Sequence, residues 1–173
     1  IIHLAAMTNA EKSLSLADLV KNNNLDSTKN IVNLVNKHQK YLIYASSTSV
    51  YGPQSIDVDE SLDYKSMNPS SPYAKTKIEE EIYIRNNLSD NQYVLLRFGT
   101  ICGTSTGMRF HTAINKFCWQ AFTRKPISVW KTAMNQNRPY LSLNDLYRAI
   151  LHIIDQKIFN GNIYNIVTIN TSV

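Results

Sequence analysis

The chain has 173 residues, 43% hydrophobic and 18% charged, the composition of an ordinary globular protein with enough chain for one core. No apolar run approaches the roughly 20 residues that span a bilayer, and the four histidines and two cysteines are scattered, so neither a membrane protein, a metal centre nor a disulfide framework is expected. The net charge of +5 is lopsided: up to residue 96 there are 9 basic and 11 acidic groups, and from Arg97 onward 9 basic and 2 acidic.

In chain order, Ile1-Ile2-His3-Leu4 reads as a buried strand. From Ala17 to Asn36 the spacing of Val20, Asn24, Thr28, Ile31/Val32 and Val35 predicts a helix with one inward stripe. Asn24 falls on that stripe, so it is expected to be buried and to bridge backbone groups. Tyr41–Ala45 is a short apolar strand, followed by a loop rich in Pro, Ser and Asp to about Ser71. Pro72 opens the next helix, where its missing N–H is harmless. Tyr93–Leu96 is a strand and Arg97–Gly107 a loop. An amphipathic helix spans Phe110–Phe122, short strands Ile127–Trp130 and Pro139–Leu141, a helix Leu143–Asp155 and a last strand Ile163–Val167. Strand and helix alternate, which predicts an α/β fold with a Rossmann-like parallel sheet.

The chemistry concentrates between residues 46 and 77. In Ser71-Pro72-Tyr73-Ala74-Lys75-Thr76-Lys77 a phenol and an amine lie four residues apart on a helix, with Cβ atoms about 6 Å apart on one face. A phenol loses its proton near pH 10. A neighbouring ammonium favours the phenolate and brings the group towards the range where acid–base catalysis works. The pair alone is weak, because a Tyr- and Lys-rich chain produces about one such spacing by chance. Its setting is stronger. Ser46-Ser47-Thr48-Ser49 puts hydroxyls after an apolar strand, where open α/β sheets bind ligands.

These pieces resemble the extended short-chain dehydrogenase/reductases, the NAD-dependent epimerase/dehydratase group, and within it nucleotide-sugar epimerases of the UDP-glucose/galactose 4-epimerase type. The resemblance runs in order through Ile2-His3-Leu4-Ala5-Ala6, Asn24-Leu25-Asp26-Ser27-Thr28, Ser46-Ser47-Thr48-Ser49-Val50-Tyr51-Gly52, Ser71 to Lys77, Leu96-Arg97-Phe98-Gly99-Thr100-Ile101-Cys102-Gly103 and Arg138-Pro139-Tyr140. Aligning Val50-Tyr51-Gly52 with the family's Val-Tyr-Gly makes Ser47 the catalytic hydroxyl, beside Tyr73 and Lys77. The resemblance implies NAD as cofactor, with NADP left open, held by Leu4, Ala5, Ala6, Ala45, Ser46, Tyr73, Lys77 and Phe98. It implies a nucleotide-diphosphate sugar as substrate, met by Ser47, Thr48, Thr100, Arg109, Asn115 and Arg138. It assigns Asn24 a structural role behind the active-site strands. A homodimer is implied for the full-length protein.

Two departures narrow the reaction. The family usually has Asn where this chain has Thr100, which touches sugar specificity. Related 4,6-dehydratases place Asp-Glu after the catalytic hydroxyl; Thr48 and Ser49 stand here, and neither serves as a carboxylic acid. The expected activity is therefore epimerisation through a keto intermediate, with a reductase or dehydrogenase, or a non-catalytic NAD- or RNA-binding member of the fold, as alternatives. The basic C-terminal half suits a nucleotide diphosphate better than nucleic acid, because it has no basic run. Two unpaired cysteines suit a reducing cytoplasm.

Residues 1–105 are expected to form the C-terminal part of the NAD-binding domain. Residues 106–173 are expected to be mainly substrate-binding, with elements returning to the first domain. A dinucleotide-binding domain opens with a Gly-rich turn that cradles the pyrophosphate, whereas the first glycine here is Gly52. The fold is thus expected to lack the first βαβ units and to leave an apolar sheet edge.

Overall fold

The computed structural model describes residues 1–8, 16–54, 57–110, 112–129, 131 and 136–172. The chain divides into two compact units, one of Ile1–Arg97 with Ile153–Asn165, the other of Phe98–His152 with Ile166–Val173.

The first unit is built on a four-stranded sheet in the order β1 (Ile2–His3), β2 (Leu42–Ser47), β3 (Tyr93–Phe98) and β6 (Ile163–Ile166). β1 runs parallel to β2, with Ile2 opposite Ile43 and His3 opposite Tyr44. At the far side Gly161 N–H donates to the Tyr93 carbonyl and Leu95 N–H to that of Asn162, so both chains advance together. Helices α1 (Ala17–His38) and α2 (Pro72–Asn87) cover one face. There Val32 and Val35 of α1 and Ile84 of α2 pack with Leu42, Tyr44, Tyr93 and Leu95 in one buried cluster. The stripe expected on α1 is the one observed: Val20, Asn24, Thr28, Val32 and Val35 are buried. Ile43, Val94 and Leu96 are buried as well, which is why β2 and β3 read as continuous apolar runs and not as alternating ones.

Three expectations about this unit need correction. The first strand is not buried as a whole: Ile1, Ile2 and Leu4 are exposed and only His3 is inside, because β1 lies at the edge of the sheet. Ile1, Ile2, Tyr41, Ile43, Ile154 and Phe159 line an open apolar groove beside it. β2 begins one residue later than expected and carries Ser46 and Ser47 within it. β3 continues through Arg97 to Phe98, so Arg97 belongs to a fully buried strand and not to a loop.

After β2 the chain makes a single 3-10 turn at Thr48–Tyr51, and Gly52 ends it at φ 67°. A Cβ at Gly52 would sit 1.7 Å from the Asn68 carbonyl oxygen, and Asn68 N–H donates to the Tyr51 carbonyl at 3.1 Å. Val50, Tyr51 and Met67 form a small core of their own at this point.

The second unit carries a three-stranded sheet ordered β4 (Thr100–Cys102), β5 (Arg138–Ser142) and β7 (Ile169–Thr171). β4 is parallel to β5, and β5 antiparallel to β7. Neither β4 nor β7 is an expected strand, and residues 127–129 form none; Trp130 lies outside the described residues. α3 starts at Ala113, three residues later than expected, and ends at Phe122, while α4 runs over Leu143–Asp155 as expected. Among the described residues no helix is long and apolar enough to cross a membrane, and no group of three or more His, Cys, Asp or Glu side chains could hold a metal ion.

Candidate active site

The C-terminal end of β2 and the first turns of α2 carry Ser47, Tyr73 and Lys77, the side chains of the first unit expected to react. Ser71 caps α2, its hydroxyl accepting from Ala74 N–H at 3.1 Å, and Pro72 holds the first helical position. Tyr73 and Lys77 follow four residues apart. The Lys77 Nζ lies 5.9 Å from the centre of the Tyr73 ring and 4.7 Å from that of Tyr44, and it donates a hydrogen bond to the Tyr44 hydroxyl at 2.9 Å.

Ser47 and Ser46 have different employment. Ser47 Oγ accepts from Ser49 N–H at 3.2 Å and from the Ser49 hydroxyl at 2.9 Å. With Ser49 donating twice, the Ser47 proton remains to be given to another oxygen. Ser46 is buried and donates its proton to Glu81, so only its backbone is left to border a ligand. Ala45 is half-buried beside it, and Leu4 and Ala5 are exposed just past β1, with Ala6 half-buried.

Behind these groups α2 turns an ionic face inward. Positions 77, 80, 81 and 84 form the i, i+3, i+4, i+7 stripe that normally buries apolar residues. Here they are Lys77, Glu80, Glu81 and Ile84, all buried. Charges taken out of water cost several kcal/mol each unless paired, and these are paired. Glu80 Oε2 lies 3.3 Å from Lys77 Nζ, and Glu80 Oε1 accepts from the Thr28 hydroxyl at 2.5 Å. Since Thr28 spends its single proton there, the 3.2 Å contact from His3 Nε2 must be a donation by the ring. Burial and then the Lys77 charge hold the His3 pKa below the usual imidazole value, so the ring is the neutral Nε2–H tautomer near pH 7.

Glu81 faces the other way and accepts a fork from Arg97, Nε to Oε1 at 3.1 Å and Nη2 to Oε2 at 2.7 Å. The Tyr64 hydroxyl adds a bond to Oε2 at 2.8 Å. Arg97 Nη1 then donates to the Tyr51 hydroxyl at 3.0 Å, which passes its own proton to Asn165 Oδ1 at 2.9 Å. Two buried cations meet two buried anions, and the ionic face is neutral overall. Burial drives the Lys77 pKa down while the charge of Glu80 and then that of Glu81 push it back up, with a net lowering. Burial and the Glu80 charge keep Tyr44 a phenol well above its usual range.

Asn24 is fully buried and brackets one residue, accepting from Met7 N–H at 2.7 Å and donating to the Met7 carbonyl at 3.1 Å. It thereby pins the backbone just past Leu4-Ala5-Ala6. None of Tyr44, Thr28, Ser49, Glu80, Glu81 or Arg97 stood out as a functional residue in the sequence. The available signal was the helical stripe through Lys77, Glu81 and Ile84.

In the second unit Asn115 is buried, accepting from Gly103 N–H and donating to the Arg109 carbonyl, both at 3.2 Å. It ties the loop before α3 together. Arg109 and Arg138 are exposed, and Arg138 Nη2 donates to Gln136 at 3.0 Å. Thr100 is half-buried at the start of β4, while Phe98 is buried at the end of β3. Thr48 is half-buried in the turn after Ser47. Asp145 accepts from the hydroxyls of Ser142 at 2.8 Å and Thr168 at 2.5 Å, and Ser142 Oγ caps α4 by accepting from Asp145 N–H at 3.0 Å.

Comparison with known proteins gives this geometry a family. The UDP-glucuronate 4-epimerase of Thermodesulfobacterium geofontis is 30% identical over 154 residues, 87% of this chain and 46% of that protein. A mutant UDP-glucuronic acid 4-epimerase from Bacillus cereus, solved with UDP-4-deoxy-4-fluoro-glucuronic acid and NAD, is 25% identical with a TM-score of 0.84, covering 99% of this chain and 55% of that one. A UDP-N-acetylglucosamine 4-epimerase from Methanobrevibacter ruminantium shares the fold with a TM-score of 0.84 at 22% identity, over 99% of this chain and 56% of that one. The chain thus spans about half the length of the relatives it matches. The model of the NAD dependent epimerase/dehydratase family matches residues 1–167, and the chain belongs to that family.

Proposed function

We propose that this chain is part of an NAD-dependent nucleotide-sugar epimerase. The observation that carries the reading is the placement of Tyr73 beside the Lys77 ammonium at the start of α2, in a chain whose relatives include UDP-sugar 4-epimerases.

The residues present fit the nicotinamide-ribose half of the cofactor. An ammonium and a phenol suit a ribose diol, and the small side chains of Ala5 and Ala6 at the strand end leave room for close approach. Bound NAD supplies the hydride acceptor and donor. Tyr73 takes the proton of a sugar hydroxyl and later returns it, as a phenol whose ionised form is favoured by the adjacent cation. Ser47 donates to the same sugar oxygen, since Ser49 occupies its acceptor side. Ser46 is unsuited to that task because its proton is committed to Glu81. Dehydration is disfavoured, because neither Thr48 nor Ser49 can act as a carboxylic acid.

Arg138 and Arg109 are proposed to meet the diphosphate, for which a guanidinium is shaped. The free thiols of Cys102 and Cys118 suit a reducing, cytoplasmic setting, and a homodimer is the proposed assembly of the full-length enzyme. The test is turnover of UDP-, GDP-, CDP- and dTDP-sugars by the full-length protein with NAD, followed by product stereochemistry. Arg138→Ala should raise KM for the active sugar roughly tenfold or more. No epimerised product from any of the four sets, or salt-dependent RNA retention without turnover, would reject the proposal.

A further inference from the structure

Glu80 is the one charged residue of the ionic face whose purpose the fold does not explain. It is fully buried, and among the described residues its Oε2 has no hydrogen-bond partner. That oxygen points at Lys77 from 3.3 Å, an ion-pair contact whose geometry falls short of a hydrogen bond. Its other oxygen is anchored through Thr28 to His3, two residues from two further elements, α1 and β1. A carboxylate kept out of water, braced from behind and aimed at one amine is an expensive arrangement for packing alone. The groups facing Lys77 are Glu80, Glu81 and Tyr73 of α2, Tyr44 of β2 and His3 of β1. Of these, only the two glutamates carry negative charge, and Glu81 is already taken by Arg97 in a fork.

We propose that Glu80 is a positioning residue for Lys77: it keeps the Lys77 amine charged and fixed beside Tyr73, with Thr28 and His3 bracing it. This rests on the reading of Tyr73 and Lys77 as the proton device. Epimerisation releases no net proton, since the one removed from the sugar oxygen is returned to it. The site therefore needs a cation that stays charged through the cycle, not a proton exit. Burial alone would favour a neutral amine at Lys77 and so weaken its pull on the Tyr73 phenol. Glu80 opposes that effect from the side away from solvent.

The test is the titration of Lys77 in full-length protein with and without Glu80→Gln, read by NMR of 13C-labelled lysine, with the Lys77 signal identified by its loss in Lys77→Met. Glu80→Gln should lower the Lys77 proton affinity at least about tenfold, one pH unit in midpoint. The alkaline limb of the pH–rate profile should move down with it, while Glu80→Asp restores part of the shift. The NMR readout needs no substrate, so it stands even where the epimerase assignment fails. Should Glu80→Gln not fold, Thr28→Val, which removes the brace on Oε1, should lower the same midpoint by a smaller amount. An unchanged Lys77 midpoint in a folded Glu80→Gln or Thr28→Val protein would overturn the proposal.

Discussion

Glu80 and Glu81 are neighbours in sequence, ride on the same helix and are equally hidden from water, yet their surroundings differ in kind. Glu81 receives hydrogen bonds from Arg97 twice and from Ser46 and Tyr64 once each. Arg97 in turn reaches Tyr51 and, through it, Asn165. Every strong donor in that network has an acceptor, and it stitches α2 to β2, β3 and the end of β6. Glu80 is held at one oxygen, and at the other it faces the Lys77 charge with no hydrogen-bond partner among the described residues. A saturated network resists change and serves the fold. An unsaturated one keeps a charge available, which is what the proposed role of Glu80 towards Lys77 requires.

The largest expected effect is on the saturated side. Arg97→Met strands Glu81 as a buried anion and should cost about 3–5 kcal/mol of unfolding free energy in urea titration of the full-length protein. A loss below about 1 kcal/mol would put the two carboxylates in the same class. On the other side chemistry should fail before stability. Tyr73→Phe should lower kcat at least about a hundredfold with unfolding free energy unchanged to about 0.5 kcal/mol and NAD affinity nearly intact. Near wild-type turnover would remove the role given to the phenol. Lys77→Met should weaken both rate and cofactor binding and also destabilise, because Glu80 is left uncompensated. Adding Glu80→Gln should recover about 0.5–3 kcal/mol of that loss, and strict additivity in the cycle would deny the pairing.

The smallest effect is on pH. His3 has a pKa below its unfolded value through burial and then the Lys77 charge, so the unfolded chain binds a proton that the folded one refuses. Its contribution to stability is whole above about pH 6.5 and is lost as the pH falls from there through the folded-state value. Urea midpoints measured between pH 8 and 5 should fall less steeply at the acid end in His3→Gln than in the parent. Equal slopes would mean that His3 does not titrate with unfolding.

Much of the fold was legible because it rests on local periodicity. The inward stripe of α1 and the limits of α4 follow from residue spacing, and Ser71-Pro72 announces the start of α2. Where partners are distant, the sequence was mute. Thr100–Cys102 becomes a strand only because Arg138–Ser142 lies alongside, and β3 seemed to end at Leu96 because nothing local says that Arg97 will find Glu81. The same holds for the ionic face: Lys77-Ile78-Glu79-Glu80-Glu81 has the composition of a solvated helix, and tertiary packing alone decides that Glu79 stays near water while Glu80 and Glu81 do not. The four-residue spacing of Tyr73 and Lys77 could be read directly. The surroundings that hold Lys77 could not, since Tyr44 comes from β2 and the braces on Glu80 come from α1 and β1.

Gly52 has a bearing on how this molecule can change over time. Its left-handed backbone and the Asn68 carbonyl against its Cα act as a clasp, shut by the bond from Asn68 to Tyr51. The segment between residues 52 and 68 leaves and rejoins the frame at that clasp, and between its ends Glu60 and Tyr64 tie it to Asn165 and Glu81. Doubling such a loop adds only about 0.6 kcal/mol of closure entropy, while the clasp keeps Tyr51 in place for Arg97. Insertions and deletions within that interval leave the ionic face of α2 intact as long as Tyr64 keeps its place on Glu81. A side chain at position 52 would open the clasp and forfeit that freedom.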